Sequence, residues 1–110
     1  MISLGREYVI VFSLSRFDNK LLSDAIESAI SNSHLHPLGS NEHAFEGNGF
    51  TKLWILTESH VALSTWPERQ SGVINVFVCN PSFELQEFLE GFSEIIPDAN
   101  FTFAEKTFEA

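Results

Sequence analysis

Residues 51–79, TKLWILTESHVALSTWPERQSGVINVFVC, decide the fold. Three runs rich in β-branched and aromatic residues follow one another here: Thr51–Thr57, His60–Trp66 and Val73–Cys79. Each is too short for a helix and reads as a strand. The connections are short, so successive strands pair as antiparallel neighbours. Upstream, Tyr8-Val9-Ile10-Val11-Phe12 reads as another buried strand. Asp18 and Asn19 then offer an N-cap, and Leu21, Leu22, Ala25, Ile26, Ala29 and Ile30 recur at helical spacing on one face. The stretch 31–49 is rich in Ser, Asn, His and Gly, with a short strand expected near His43-Ala44-Phe45. Downstream, Asn80-Pro81 predicts the N-cap and first-turn proline of a second helix, with Leu85, Phe88, Leu89, Phe92, Ile95 and Ile96 as its apolar face. Residues 100–108 read as an edge strand.

The order is β-α-β-β-β-β-α-β. Its economical packing is a two-layer α+β sandwich, a largely antiparallel sheet with both helices on one face. Residues 1–110 form a single domain on this reading, without repeat, linker or low-complexity segment. Leu53-Trp54-Ile55-Leu56 is apolar at successive positions, so both faces of the sheet require burial. A sheet face left without helices needs a partner, and a homodimer supplies one.

Composition narrows the function. A chain of 110 residues buries about 65% of its unfolded surface, enough for a core without staples. Fifteen acidic against six basic residues give a net charge of −9, a poor match for nucleic acid or anionic membrane. That charge suits a cationic small molecule, although solubility alone accounts for it. The single cysteine, Cys79, excludes an intramolecular disulfide and a multi-cysteine metal site, and no metal is expected. A lone cysteine points to a reducing, cytoplasmic setting. The N-terminal apolar run is broken by Ser13 and Ser15 and has no small-residue cleavage site after it, unlike a signal peptide. No stretch reaches the roughly 20 apolar residues needed to span a bilayer.

The segment Thr57-Glu58-Ser59-His60, continued by Ser64-Thr65-Trp66-Pro67-Glu68 and by Cys79, resembles the E-S-H…T-W-P-E signature of the short, prokaryotic S-adenosylmethionine decarboxylases. Ser3-Leu4-Gly5-Arg6 is similar to that family's start, and the resemblance covers nearly the whole chain. It implies a proenzyme. Ser59 attacks the preceding carbonyl of Glu58, the peptide becomes an ester, and elimination splits the chain into residues 1–58 and 59–110. The former Ser59 becomes a pyruvoyl group, which takes over the task of pyridoxal phosphate: it binds the substrate amine as a Schiff base and accepts electrons as carbon dioxide leaves.

The resemblance implies roles for other residues too. Cys79 matches the cysteine that returns a proton to the substrate carbon. Glu68 matches the acid that holds the ribose hydroxyls. Phe45 falls where an aromatic stacks on adenine, with core packing as the rival explanation for one of eleven phenylalanines. Trp66 is read as packing, and His60 receives no chemical role. The implied site is shared across a homodimer, with Ser59 and Cys79 of one protomer facing Phe45, Thr51, Ser64 and Glu68 of the other.

Three departures fall at the site. Ser64 stands where the family has a histidine that handles the α-proton during self-cleavage, and serine has no comparable basicity. Thr51 replaces a serine that assists processing and keeps the hydroxyl. Asn75-Val76-Phe77-Val78-Cys79-Asn80 resembles the family's D-x-F-T-C-G with three changes. The expected activity is decarboxylation of S-adenosylmethionine to the aminopropyl donor for spermidine. Decarboxylation of arginine or ornithine, and an unprocessed homologue that only binds or regulates, are the alternatives.

Overall fold

A computed structural model describes all 110 residues. The chain runs β1 (Ser3–Ser13), α1 (Asn19–Asn32), β2 (Pro37–Ala44), β3 (Phe50–Leu56), β4 (Ser59–Trp66), β5 (Ser71–Val78), α2 (Leu85–Ile95) and β6 (Asn100–Glu109). The six strands form one sheet in the order β2-β3-β4-β5-β1-β6, and every pair is antiparallel. This is the α+β architecture expected from the sequence, with β6 at one edge and β2 at the other.

Alternation along the strands separates the faces. Tyr8, Ile10 and Phe12 of β1, Phe50, Trp54 and Leu56 of β3, Val61 and Leu63 of β4, and Ile74, Val76 and Val78 of β5 are all buried. They form one core with Leu22, Ala25, Ile26, Ala29 and Ile30 of α1 and Phe88 and Phe92 of α2. Leu21 is exposed, although the helical spacing includes it. Asp18 caps α1 as expected, its carboxylate accepting the Leu21 N–H at 3.0 Å. The helices pack closely where Gly91 meets α1, since a Cβ there would lie 2.6 Å from the Ser28 carbonyl oxygen.

One buried position on the core side is charged. Lys52 is 9% exposed, and its ammonium donates to Ser23 Oγ at 2.9 Å. It also lies 3.4 Å from the Glu42 carboxylate, 3.7 Å from that of Glu27 and 4.9 Å from the Trp54 ring centre. The Trp54 indole N–H donates to Glu27 at 3.3 Å. Burial is tolerated because every partner is within reach.

Two elements differ from expectation. Asn80-Pro81 does not start the second helix, which begins at Leu85 behind Glu84. The Asn80 side chain instead accepts the Ser82 N–H at 2.9 Å, and its carbonyl accepts the Phe83 N–H at 3.2 Å. That turn buries Phe83, whose ring lies 5.6 Å from Tyr8 and 6.3 Å from Phe88. The strand expected near His43 is also longer, covering Pro37–Ala44 with every residue exposed. Main-chain pairing to β3 and the Glu42–Lys52 ion pair hold this edge, so no apolar alternation marks it in the sequence.

Candidate active site

The β3–β4 hairpin pairs Leu56 with Ser59, leaving Thr57 and Glu58 as its two-residue connection. Such a turn needs left-handed backbone, which glycine or asparagine usually supplies. Here Glu58 takes it, at φ +64°. Just after this strained residue, the half-buried Ser59 directs its hydroxyl at the Thr57 carbonyl, 3.4 Å away. The Thr57 N–H donates to the His36 carbonyl at 3.0 Å and ties the turn down.

His60 pairs with Phe77, so Ser59, which opens β4, and Cys79, which follows β5, lie at the same end of the sheet. Cys79 is exposed. Both of its neighbours are anchored by Arg6: Val78 is its strand partner, and its guanidinium donates to the carbonyls of Asn80 at 3.3 Å and Phe83 at 3.1 Å. A third bond, 2.9 Å long, reaches the Tyr8 hydroxyl. Burial raises the pKa of that phenol, an effect that the Arg6 charge opposes and Glu105 reinforces. Sequence reasoning gave Arg6 no role, because only the register shows which loop its side chain meets.

The remaining expected residues gather at the opposite end of the sheet. Thr51 and Ser64 are paired across β3 and β4, both half-buried, with their hydroxyl oxygens 3.5 Å apart. Phe45 follows β2, and its N–H donates to the Gly49 carbonyl at 2.8 Å. Its ring is 54% exposed, so core packing does not explain it. Glu68 lies exposed in the 3-10 turn Pro67–Arg69. The two turns touch: a Cβ on Gly49 would stand 3.0 Å from the Thr65 carbonyl oxygen and 3.6 Å from Pro67. Phe45 and Glu68 thus sit on abutting turns.

Within one protomer the two groups stay apart. At about 3.3 Å per residue, β4 carries Ser64 roughly 16 Å and Trp66 roughly 23 Å from Ser59. Between the two ends lies the helix-free face of the sheet. Val9, Val11, Leu53, Ile55 and Trp66 are exposed there. On the same face His60 stacks on Phe77, ring centres 5.7 Å apart, and Phe108 meets Phe77 edge-on at 5.9 Å. No helix is long and apolar enough to cross a membrane.

A sequence model of the S-adenosylmethionine decarboxylase family matches residues 15–106. Among curated relatives, the S-adenosylmethionine decarboxylase proenzyme of Sulfurihydrogenibium sp. (strain YO3AOP1) is 33% identical over 67 residues, 58% of this chain and 50% of that one. That of Parasynechococcus marenigrum (strain WH8102) is 36% identical over 62 residues, 56% and 48% of the two chains. The match therefore spans about half the length of these relatives. The crystal structure of the adenosylmethionine decarboxylase from Aquifex aeolicus VF5 superposes with a TM-score of 0.72. It covers 100% of this chain and 96% of that one at 18% identity, a likeness of fold.

Proposed function

The chain belongs to the S-adenosylmethionine decarboxylase family, and from that membership we propose that it cleaves itself between Glu58 and Ser59 and then decarboxylates S-adenosylmethionine to an aminopropyl donor for spermidine. The observation that carries this reading is the hairpin itself. Ser59 directly follows a left-handed Glu58, with its hydroxyl turned back into the turn onto the Thr57 carbonyl and with Cys79 just past the end of the neighbouring strand β5. Strain stored at a scissile bond favours the reaction that releases it.

The residues around position 59 fit a pyruvoyl group grown from the chain. Ser59 Oγ bonds to the Glu58 carbonyl carbon as the peptide C–N bond breaks, and the nitrogen takes the hydroxyl proton. Removal of the Ser59 α-proton then breaks the Cβ–Oγ bond and frees the Glu58 carboxylate. The new terminus takes up water and loses ammonia to become a ketone. That group, once formed, supplies the electron sink for loss of carbon dioxide from an amine-bearing substrate.

The other residues bind, orient or move protons. Thr51 and Ser64 offer two adjoining hydroxyls that can hold an oxyanion during the acyl shift. Neither takes a proton from carbon readily, so elimination is the slow step. Cys79, held on both flanks by Arg6, returns a proton to the substrate carbon. Phe45 stacks on adenine and Glu68 accepts from the ribose hydroxyls. Two copies pairing through the open face, strands reversed, would bring the Ser59 end of one to the Glu68 end of the other. The apolar side chains of that face and the separation along β4 both support a homodimer with a shared site.

Intact mass and a denaturing gel test the reading. Fragments 1–58 and 59–110, the second with a pyruvoyl terminus, are expected from the wild type, and a single chain of 12.4 kDa from Ser59→Ala. A wild type that stays uncut through long incubation would overturn self-processing. The serine at position 64 favours one second reading, an unprocessed homologue that binds without decarboxylating. Ser64→His separates the two: it should quicken cleavage where the slow step is proton removal, and do nothing where the chain only binds.

A further inference from the structure

We infer that His43 is a positioning residue that sets the Phe45 ring for stacking on a purine base, an inference that rests on the reading of Phe45 as the adenine platform. Phe45 lies beyond the end of β2 and is 54% exposed, a large ring without a core to orient it. Its backbone is fixed by the N–H bond to Gly49. Its side chain retains rotational freedom unless a neighbour removes it, and freedom lost on binding weakens affinity.

His43 is that neighbour. Pairing with Thr51 sets its backbone on the edge strand. Alternation along the extended chain aims residues 43 and 45 at one side of the sheet, the helix-free one to which Thr51 belongs. The two ring centres are 4.7 Å apart at an interplanar angle of 63°, an edge-on contact. Edge-on contact occupies one side of an aromatic ring pair and leaves a π-face open for a flat partner. The partner is the base of a nucleoside, because the adjoining turn presents the Glu68 carboxylate, an acceptor for hydroxyls of a sugar. His43 is itself exposed on an edge strand, so its replacement opens no cavity in the core.

The test uses the full chain and 5′-methylthioadenosine, which carries the purine and the sugar but neither the amine nor the carboxylate. Calorimetric titration of wild type, His43→Ala and His43→Phe should show binding about 3- to 10-fold weaker for the alanine variant, the span expected of one edge-on aromatic contact. The phenylalanine variant should recover to within about twofold, since it restores a ring edge. Where the enzyme turns over, KM for S-adenosylmethionine should rise in His43→Ala while kcat holds, because His43 meets the Phe45 ring and none of the reacting groups. Unchanged binding in His43→Ala overturns the inference, as does a loss in His43→Phe equal to that in His43→Ala. A wild type that does not bind the nucleoside overturns it together with the role of Phe45. Nucleoside binding that responds to His43 in a chain that releases no carbon dioxide leaves the inference standing and overturns the decarboxylase reading alone.

Discussion

Replacing Glu58 by glycine should slow self-cleavage while making the fold no less stable. Glu58 is held at φ +64° by a turn with only two connecting residues. A left-handed conformation costs an L-residue about 1–2 kcal/mol. Glycine carries no such cost, but its unfolded chain is freer by about 0.5–1 kcal/mol. The difference leaves Glu58→Gly roughly 0.5 kcal/mol more stable, on the balance of those two terms. The cleavage rate responds to the first term only. Where about 1 kcal/mol of strain is released on the way to the ester, its removal slows the reaction roughly fivefold. Glu58→Ala is the control, since it deletes the carboxylate and keeps the strain, and it should cleave near the wild-type rate. Freshly translated chains followed by intact mass give the rates, and urea midpoints on Ser59→Ala backgrounds give the stabilities. Equal rates for Glu58→Gly and Glu58→Ala, alongside a raised midpoint for the glycine variant, would refute the use of turn strain.

Two further expectations concern the rest of the chain. Lys52 is 9% exposed while Glu27 and Glu42 are about half exposed, so the two ways of breaking this network differ. Lys52→Met leaves two carboxylates that water can reach and should cost about 1 kcal/mol, whereas Glu27→Gln with Glu42→Gln strands a buried ammonium and should cost about 2–3 kcal/mol. Urea denaturation reads the order, and a larger loss for Lys52→Met would contradict it. Tyr8 is the only tyrosine, so phenolate absorbance reports it alone. Its folded pKa is raised, chiefly by burial, which means that the folded chain holds the phenol proton more tightly than the unfolded one. The stability this contributes is complete below the ordinary tyrosine pKa of about 10 and is lost as pH rises through the higher folded value. Native protein should therefore ionise Tyr8 at higher pH than protein in urea, and ionisation at equal or lower pH would be the contrary result.

The sequence carried the fold wherever side chains face a core. Val61 and Leu63, or Leu22, Ala25 and Ile26, are legible because burial selects their spacing. It carried only the His43 end of β2, because Pro37–Ala44 pairs through its main chain and buries nothing. Asn80-Pro81 misled because an asparagine that caps a helix and one that closes a turn make the same local bond, to an N–H two or three residues on. The motif identified Ser59, Cys79, Glu68 and Phe45 as residue types in order, and that they divide into two groups was implied only by the family resemblance, since spacing along the chain does not show it. Arg6 and His43 escaped notice for a related reason. The significance of Arg6 lies in the Asn80 and Phe83 carbonyls that its guanidinium meets, and that of His43 in the Phe45 ring set edge-on beside it, contacts that only the folded chain supplies.

The division between the two ends also makes the shared site testable without a structure of the assembly. If Ser59 of one protomer works with Glu68 of its partner, two variants that are each inactive can repair one another. Ser59→Ala lacks the prosthetic group, and Glu68→Ala lacks the ribose acceptor. In a mixed dimer one site combines both lesions, while the other unites an intact Ser59 with an intact Glu68. Random pairing makes half of the dimers mixed, each with one good site of two, so co-expression should restore about one quarter of wild-type activity. A site built within one protomer can never regain both residues by mixing, and the co-expressed pair would then remain as inactive as its parents. Pairing of the separately purified variants should fail or proceed slowly, because the apolar face bearing Val9, Val11, Leu53 and Ile55 would already be buried in each homodimer. Activity that appears on co-expression but only slowly on mixing would identify that face as the surface that joins the two halves of the site.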